Sequence, residues 1–216
     1  MTILRLLAWL SPAFPTGGYA WSHGMEWAVD VNDVHDGASL LSWVSDVLWF
    51  GAGRNDAIVT RLAHSATDSP ALLTEIVEIS RASAASRERH AEAVGMGNAF
   101  RLAASAWNPV VLDAIEGDLP YPVAVGALAG ANGIGGDDAV LGVLQAFAAG
   151  MISAAVRLVP LGQSTGLAVL AALEPVITAV AEETRHATPD DLGGACFRSD
   201  IASLRHETQC TRLFRS

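Results

Sequence analysis

"GQSTGLAVLAALEPVITAV", residues 162–180, is open to two folds. Its first five residues match the Gly-x-Ser-x-Gly elbow of a hydrolase, with Ser164 as the nucleophile. That motif works only where a strand turns sharply into a helix. The upstream run 139–156 is apolar and helix-like, and Pro160 ends it. Downstream, Leu170, Leu173, Ile177 and Val180 recur at helical spacing. The stretch therefore reads as helix, turn, helix. Ser164 or Thr165 caps the second helix, and Pro175 kinks it.

The same reading extends along the chain. Residues 3–10 form a short apolar helix, and Ser22 caps a helix through about Val29. Residues 37–50 place Leu40, Leu41, Val44, Val47 and Leu48 on one face. A helix covers roughly 54–66. Ser69-Pro70 and Asn108-Pro109 each read as a cap followed by proline at the first helical position. Residues 85–107 are helical, and the run 81–103 carries Arg81, Arg87, Arg89 and Arg101 with Glu88 and Glu92, which reads as a solvated face. The Ala- and Gly-rich segment 122–132 is helical, and Asp137-Asp138 opens a long helix. "TPDD" at 188–191 is another start signal, and a last helix runs from about Asp200. No segment alternates strictly over six residues. The expectation is an all-α, single-domain bundle over residues 1–216, with roughly nine to eleven helices and no sheet.

Composition narrows the function. The 216 residues hold 13 basic and 23 acidic side chains, for a net charge of −10. Every basic residue is Arg. Without lysine there is no P-loop lysine, no Schiff base and no lysine general base. An acidic chain is a poor partner for nucleic acid or anionic lipid. The charge is uneven. Residues 198–216 hold four Arg against Asp200 and Glu207, whereas residues 1–197 hold nine Arg against 21 acids. Cys196 and Cys210 form neither a disulfide framework nor a zinc signature, which fits a reducing cytoplasm. The N-terminus resembles a signal peptide only weakly, because Pro12 and Pro15 replace a small-residue cleavage site.

Several patterns have a functional reading that the residues around them oppose. Residues 139–156 could nearly cross a bilayer at about 1.5 Å per residue. They are Ala- and Gly-rich, though, and follow two aspartates, as in a buried bundle centre where Gly142 and Gly150 admit close neighbours. "GALAGANGIGGDD" at 126–138 has the glycines of a phosphate cradle but no basic residue. His23 and Glu26, three apart, are weak metal candidates, since two ligands make no site. His35 with Asp33 and Asp36, His90, and His206-Glu207 are looser still.

Two stretches stand apart. "LSPAFPTGGYAWSHGMEW" at 10–27 sets prolines and glycines beside Tyr19, Trp21 and His23. The tail "RHETQCTRLFRS" at 205–216 ends with Leu213 and Phe214 between Arg212 and Arg215, a hot-spot composition where termini are usually polar. It either folds back on the domain or docks on a partner.

Together these stretches resemble the UreF family of urease accessory proteins. The opening 10–27, "AAVRLVPLGQSTG" at 154–166 and "HETQCTRLFRS" at 206–216 resemble its N-terminal, central and C-terminal motifs. The departure is Cys210, where the family usually has an aromatic, typically Tyr. The resemblance implies a non-catalytic, cytoplasmic accessory protein that forms a homodimer and holds no cofactor tightly. It would bridge the GTPase UreG and the accessory protein UreH (UreD in many bacteria), modulate the GTPase, and support nickel insertion into apo-urease, nickel passing through the complex in transit. Nucleic acid and membrane are not expected partners. The segments 1–21 and 206–216 become docking elements. Tyr19 and Trp21 would supply contact area, Ser22, His23 and Glu26 would orient the loop, and Arg157 and Gln163 would brace the central turn. His206, Glu207, Arg212, Leu213, Phe214 and Arg215 would form the tail's contact, with Phe214 as a buried anchor in the partner. The rivals are a helical serine hydrolase using Ser164 and a small membrane protein built on 139–156.

Overall fold

A computed structural model describes residues 2–107 and 109–216. Among them are eleven α-helices and no strand: α1 Thr2–Trp9, α2 Met25–Asp30, α3 Gly37–Phe50, α4 Ala52–Ser65, α5 Pro70–Ala82, α6 Arg87–Ala103, α7 Val110–Asp113, α8 Tyr121–Ala131, α9 Gly136–Leu158, α10 Gly162–Glu183 and α11 Phe197–His206. The all-helical expectation holds. The cap read at Asn108 lies outside the described residues.

Helices α4, α8 and α9 form the centre. Eight consecutive residues of α8, Pro122 to Ala129, are buried, so this helix has no solvent face. Its close fit to α4 depends on glycine: a Cβ at Gly126 would lie 2.2 Å from the Thr60 carbonyl oxygen. Two apolar clusters flank this centre. One gathers Trp9, Val59, Phe100, Val123 and Leu128. The other gathers Met25, Val44, Leu144, Met151 and Leu173, with α3, α9 and α10 as its walls. Helix α9 serves both, through Ala139 and Val143 on one side and Val140 and Leu144 on the other.

Both α9 and α10 are long and apolar enough to cross a membrane, and half of the apolar window of α9 is buried inside the protein. Helix α9 packs on α2, α3, α4, α8 and α10, the place expected for a bundle centre. Gly142 does admit a neighbour, the Leu10 side chain, but Gly150 faces nothing within 4 Å.

Several local expectations are corrected. Helix α10 starts at Gly162 with Leu161 at its N-cap, so Ser164 and Thr165 fall inside the first turn and cap nothing. Ser22 is not the cap of α2: His23 and Gly24 both adopt left-handed φ (60° and 73°), and the helix begins after them. "TPDD" does form a capping box, with Thr188 and Asp191 exchanging bonds, but only a single 3-10 turn follows.

Candidate functional site

The opening loop and the C-terminal tail meet. Gly24 permits this, since its backbone lies against α11 so closely that a Cβ would be 2.6 Å from the Ser203 amide nitrogen. The neighbouring hydroxyls of Ser86 and Ser203 are 2.6 Å apart, joining α6 to α11. Into this corner the tail returns as a strap. Ser22 donates from its backbone N to the Ser216 main-chain oxygen at 2.8 Å, and its hydroxyl donates to the same oxygen. Arg215 N donates to Ala20 O at 2.9 Å.

Glu26 clamps the strap. Its carboxylate accepts from Leu213 N at 2.6 Å and Phe214 N at 2.9 Å, and faces His206 Nε2 at 3.2 Å. His206 is fully buried, with Nδ1 2.7 Å from Glu88 Oε2. Each of its two ring nitrogens thus faces one buried carboxyl group. The other oxygen of Glu88 accepts from Arg212 at 2.8 Å. Buried carboxylates are tolerated here because donors meet each of them.

A second cluster adjoins the first. Glu92 Oε1 is 2.8 Å from His23 Nδ1, and Glu92 Oε2 accepts from Arg89 at 2.5 Å and from the Ser216 hydroxyl at 3.0 Å. Burial alone would raise the Glu92 pKa, but Arg89, His23 and Ser216 together hold it down to about 2. His23 is held below its ordinary value by burial first and Arg89 second, with Glu92 opposing. On α4, Asp56 is pushed up to about 7 by burial, with Arg89 opposing and Glu92 adding.

The structure brings many of the expected residues together and separates others. Tyr19 is 77 % exposed, and its carbonyl accepts from Arg157 at 2.9 Å. Arg157 braces the loop in this way, rather than the turn at 160–163, and its guanidinium lies 4.3 Å above the Phe214 ring. Trp21 is half-buried beneath Arg215. Glu207 accepts from the Arg87 amide at 2.9 Å. Gln163 is exposed on α10 and takes no part in these clusters. Phe214 is only 5 % exposed, so it is an anchor in this chain's own interior, whereas Leu213 beside it is 69 % exposed.

His23 and Glu26 meet different partners, Arg89 and Glu92 for His23 and His206 and the tail amides for Glu26. His23 and Gly24 are left-handed, a turn just before the helix that carries Glu26. Among the described residues no group of three or more His, Cys, Asp or Glu could hold a metal ion. Ser164 is exposed at a helix start with no strand before it, so the elbow geometry is missing.

Two features escaped the sequence reading. Glu88 and Glu92 are 7 % and 5 % exposed, so the face of α6 taken as solvated is an interior one. Their i, i+4 spacing, which puts both on one helical face, was the available signal. On α11, Phe197, Ile201 and Leu204 form an exposed apolar stripe at i, i+4, i+7. Its opposite side carries Ala202, Ser203 and His206 inward.

Comparison with known proteins bears on this arrangement. The UreF family model matches residues 34–174. The chain is 49 % identical over 214 residues to the urease accessory protein UreF of Rhizobium etli (strain CIAT 652), covering 99 % of this chain and 96 % of that relative. It is 47 % identical over 220 residues to the protein of that name from Bradyrhizobium sp. (strain ORS 278), covering 99 % and 92 %. It is 48 % identical over 220 residues to that from Methylorubrum populi, covering 99 % and 98 %.

Proposed function

The chain belongs to the UreF family of urease accessory proteins, and from that premise we propose that it acts as a non-catalytic assembly factor in urease maturation. It bridges the GTPase UreG and UreH/UreD, modulates the GTPase, and supports nickel insertion into apo-urease, with nickel as cargo of the complex. It works in the cytoplasm as a homodimer. The observation that carries this reading is the tying of loop 19–26 and tail 211–216 into one fixed surface. Buried ion pairs hold that surface from beneath, while Tyr19, Leu213 and Arg215 face outward. Ordering these groups in advance lowers the entropy lost on binding. The outer stripe of α11 extends the apolar area available to a partner. Arg205 and Arg215 are exposed in an otherwise acidic chain, which favours a partner surface bearing carboxylates.

The test is urease activation in cells carrying the urease subunits and the other accessory proteins, with and without this chain. Urease purified with it should hold nickel and turn over urea. Urease purified without it should be poor in both. Equal nickel content in the two preparations would reject the reading. So would ester hydrolysis by the isolated chain that is lost in Ser164→Ala.

A further inference from the structure

We propose that His23, Arg89 and Glu92 form an acid-sensitive latch that releases residues 211–216 from the N-terminal loop while the helical core stays folded. The geometry contains a conflict. His23 Nδ1 lies 2.5 Å from Arg89 NH1 and 2.8 Å from Glu92 Oε1. A lone pair on Nδ1 suits the arginine but opposes the carboxylate oxygen. A proton on Nδ1 suits the carboxylate but opposes the arginine N–H. His23 Nε2 is buried without a hydrogen-bond partner, so the ring cannot answer by turning its other edge to a donor or acceptor already in place. The ring also packs edge-on against Phe147 at 4.5 Å, which limits its rotation.

Protonating the ring settles the conflict one way. Nδ1–H then bonds to Glu92, and Arg89 faces a second cation at contact distance. Arg89 and Ser216 share the other oxygen of Glu92, and the Ser216 hydroxyl also accepts from His23 N at 3.3 Å. A shift of Arg89 or of the His23 backbone therefore reaches Ser216 directly. The groups that set the local charge are Arg89 and Glu92 on α6, Asp56 on α4 and Asp200 on α11, the last two interacting with Arg89. Phe147 on α9 brings no charge.

The sign follows from the directions of the shifts. His23 is depressed, so its neutral form is favoured by folding, and that contribution is lost as pH falls below its ordinary value of 6.5. Glu92 stays ionised down to about 2. The latch thus opens in mild acid, where Glu92 is still ionised, while Asp56, pushed up to about 7, takes up its proton in the same interval.

Hydrogen exchange on the full chain tests this, after correction for the intrinsic pH dependence of exchange. The amides of Leu213, Phe214 and Arg215 are bonded in the seated tail and report its opening. Between about pH 7.5 and pH 5.5 their protection should fall several-fold, up to about tenfold, relative to amides 123–129 of α8. In His23→Gln the tail-to-core ratio should not change with pH. Tail protection that tracks the core at both pH values, or a wild-type response retained in His23→Gln, overturns the proposal. Should His23→Gln fail to fold, imidazole NMR on the wild-type chain decides. The tail resonances must move with the His23 ring, and movement with another histidine overturns the proposal. No partner protein is needed, so this result stands apart from the docking reading.

Discussion

Glu26→Gln removes one charge and almost no volume from the clamp that seats the tail. Glu26 accepts from two backbone amides and faces His206, all in the interior. A hydrogen bond to a charged group contributes about 1.5–3 kcal/mol, and a buried donor left without an acceptor costs a similar amount. Glutamine retains one acceptor oxygen for one amide. Its NH2 group then faces the other amide, donor against donor. The loss should be about 3 kcal/mol. It is capped by the free energy of peeling away residues 211–216, because the chain can relieve the conflict by letting the tail go. In a chain of this length that corresponds to a fall of roughly 6–12 °C in Tm, measured by circular dichroism. Hydrogen exchange should show the Leu213 and Phe214 amides exposed. A variant melting within about 2 °C of wild type, with those amides still protected, would refute the clamp.

Phe214→Ala should destabilise by about 3 kcal/mol, since the ring is buried and lies under Arg157; a melt checks this, and an unchanged Tm would return Phe214 to a partner-facing role. Asp56→Asn should stabilise in a pH-dependent way. Folding raises Asp56 from 3.8 to about 7, so the wild-type chain loses stability as pH rises across that interval. The gain should be near zero at about pH 4 and about 1–3 kcal/mol at about pH 8, the shift being discounted because the side chain is partly exposed. Urea titrations at both pH values measure it. Gly126→Ala should cost more than about 2 kcal/mol, because the added methyl meets the α4 backbone rather than a movable side chain.

Much of the fold was legible because helical periodicity and proline punctuation are local properties. The stripe Leu40, Val44, Val47, Leu48 is buried as its spacing predicts. The turn between α9 and α10 was legible for the same reason, and it removed the hydrolase reading. The site was less legible because its chemistry depends on contacts across more than 100 residues. Glu88 and Glu92 look solvated in sequence, since nothing local shows that His206, Arg212 and Ser216 return to meet them. The separation of His23 from Glu26 was hidden by helical spacing. It depends on two left-handed residues, and a non-glycine residue such as His23 gives no local warning of that conformation. The fate of Phe214 was an even choice in sequence. It was decided by the fold, which bonds the Phe214 amide to Glu26 and sets its ring under Arg157 of α9.

The docking surface is best tested by changing what faces outward and leaving the clamp alone. Deleting residues 212–216 would confuse the two, because it removes Phe214 and Ser216 from the interior. The double variant Tyr19→Asp, Leu213→Asp alters only side chains that are largely exposed. Co-purification with UreH/UreD, quantified beside a thermal melt, is the most direct measurement. The account predicts a Tm within about 2 °C of wild type and binding weakened roughly 30-fold or more, as for the loss of a hot spot worth about 2 kcal/mol. A folded double variant that co-purifies at full yield would contradict it.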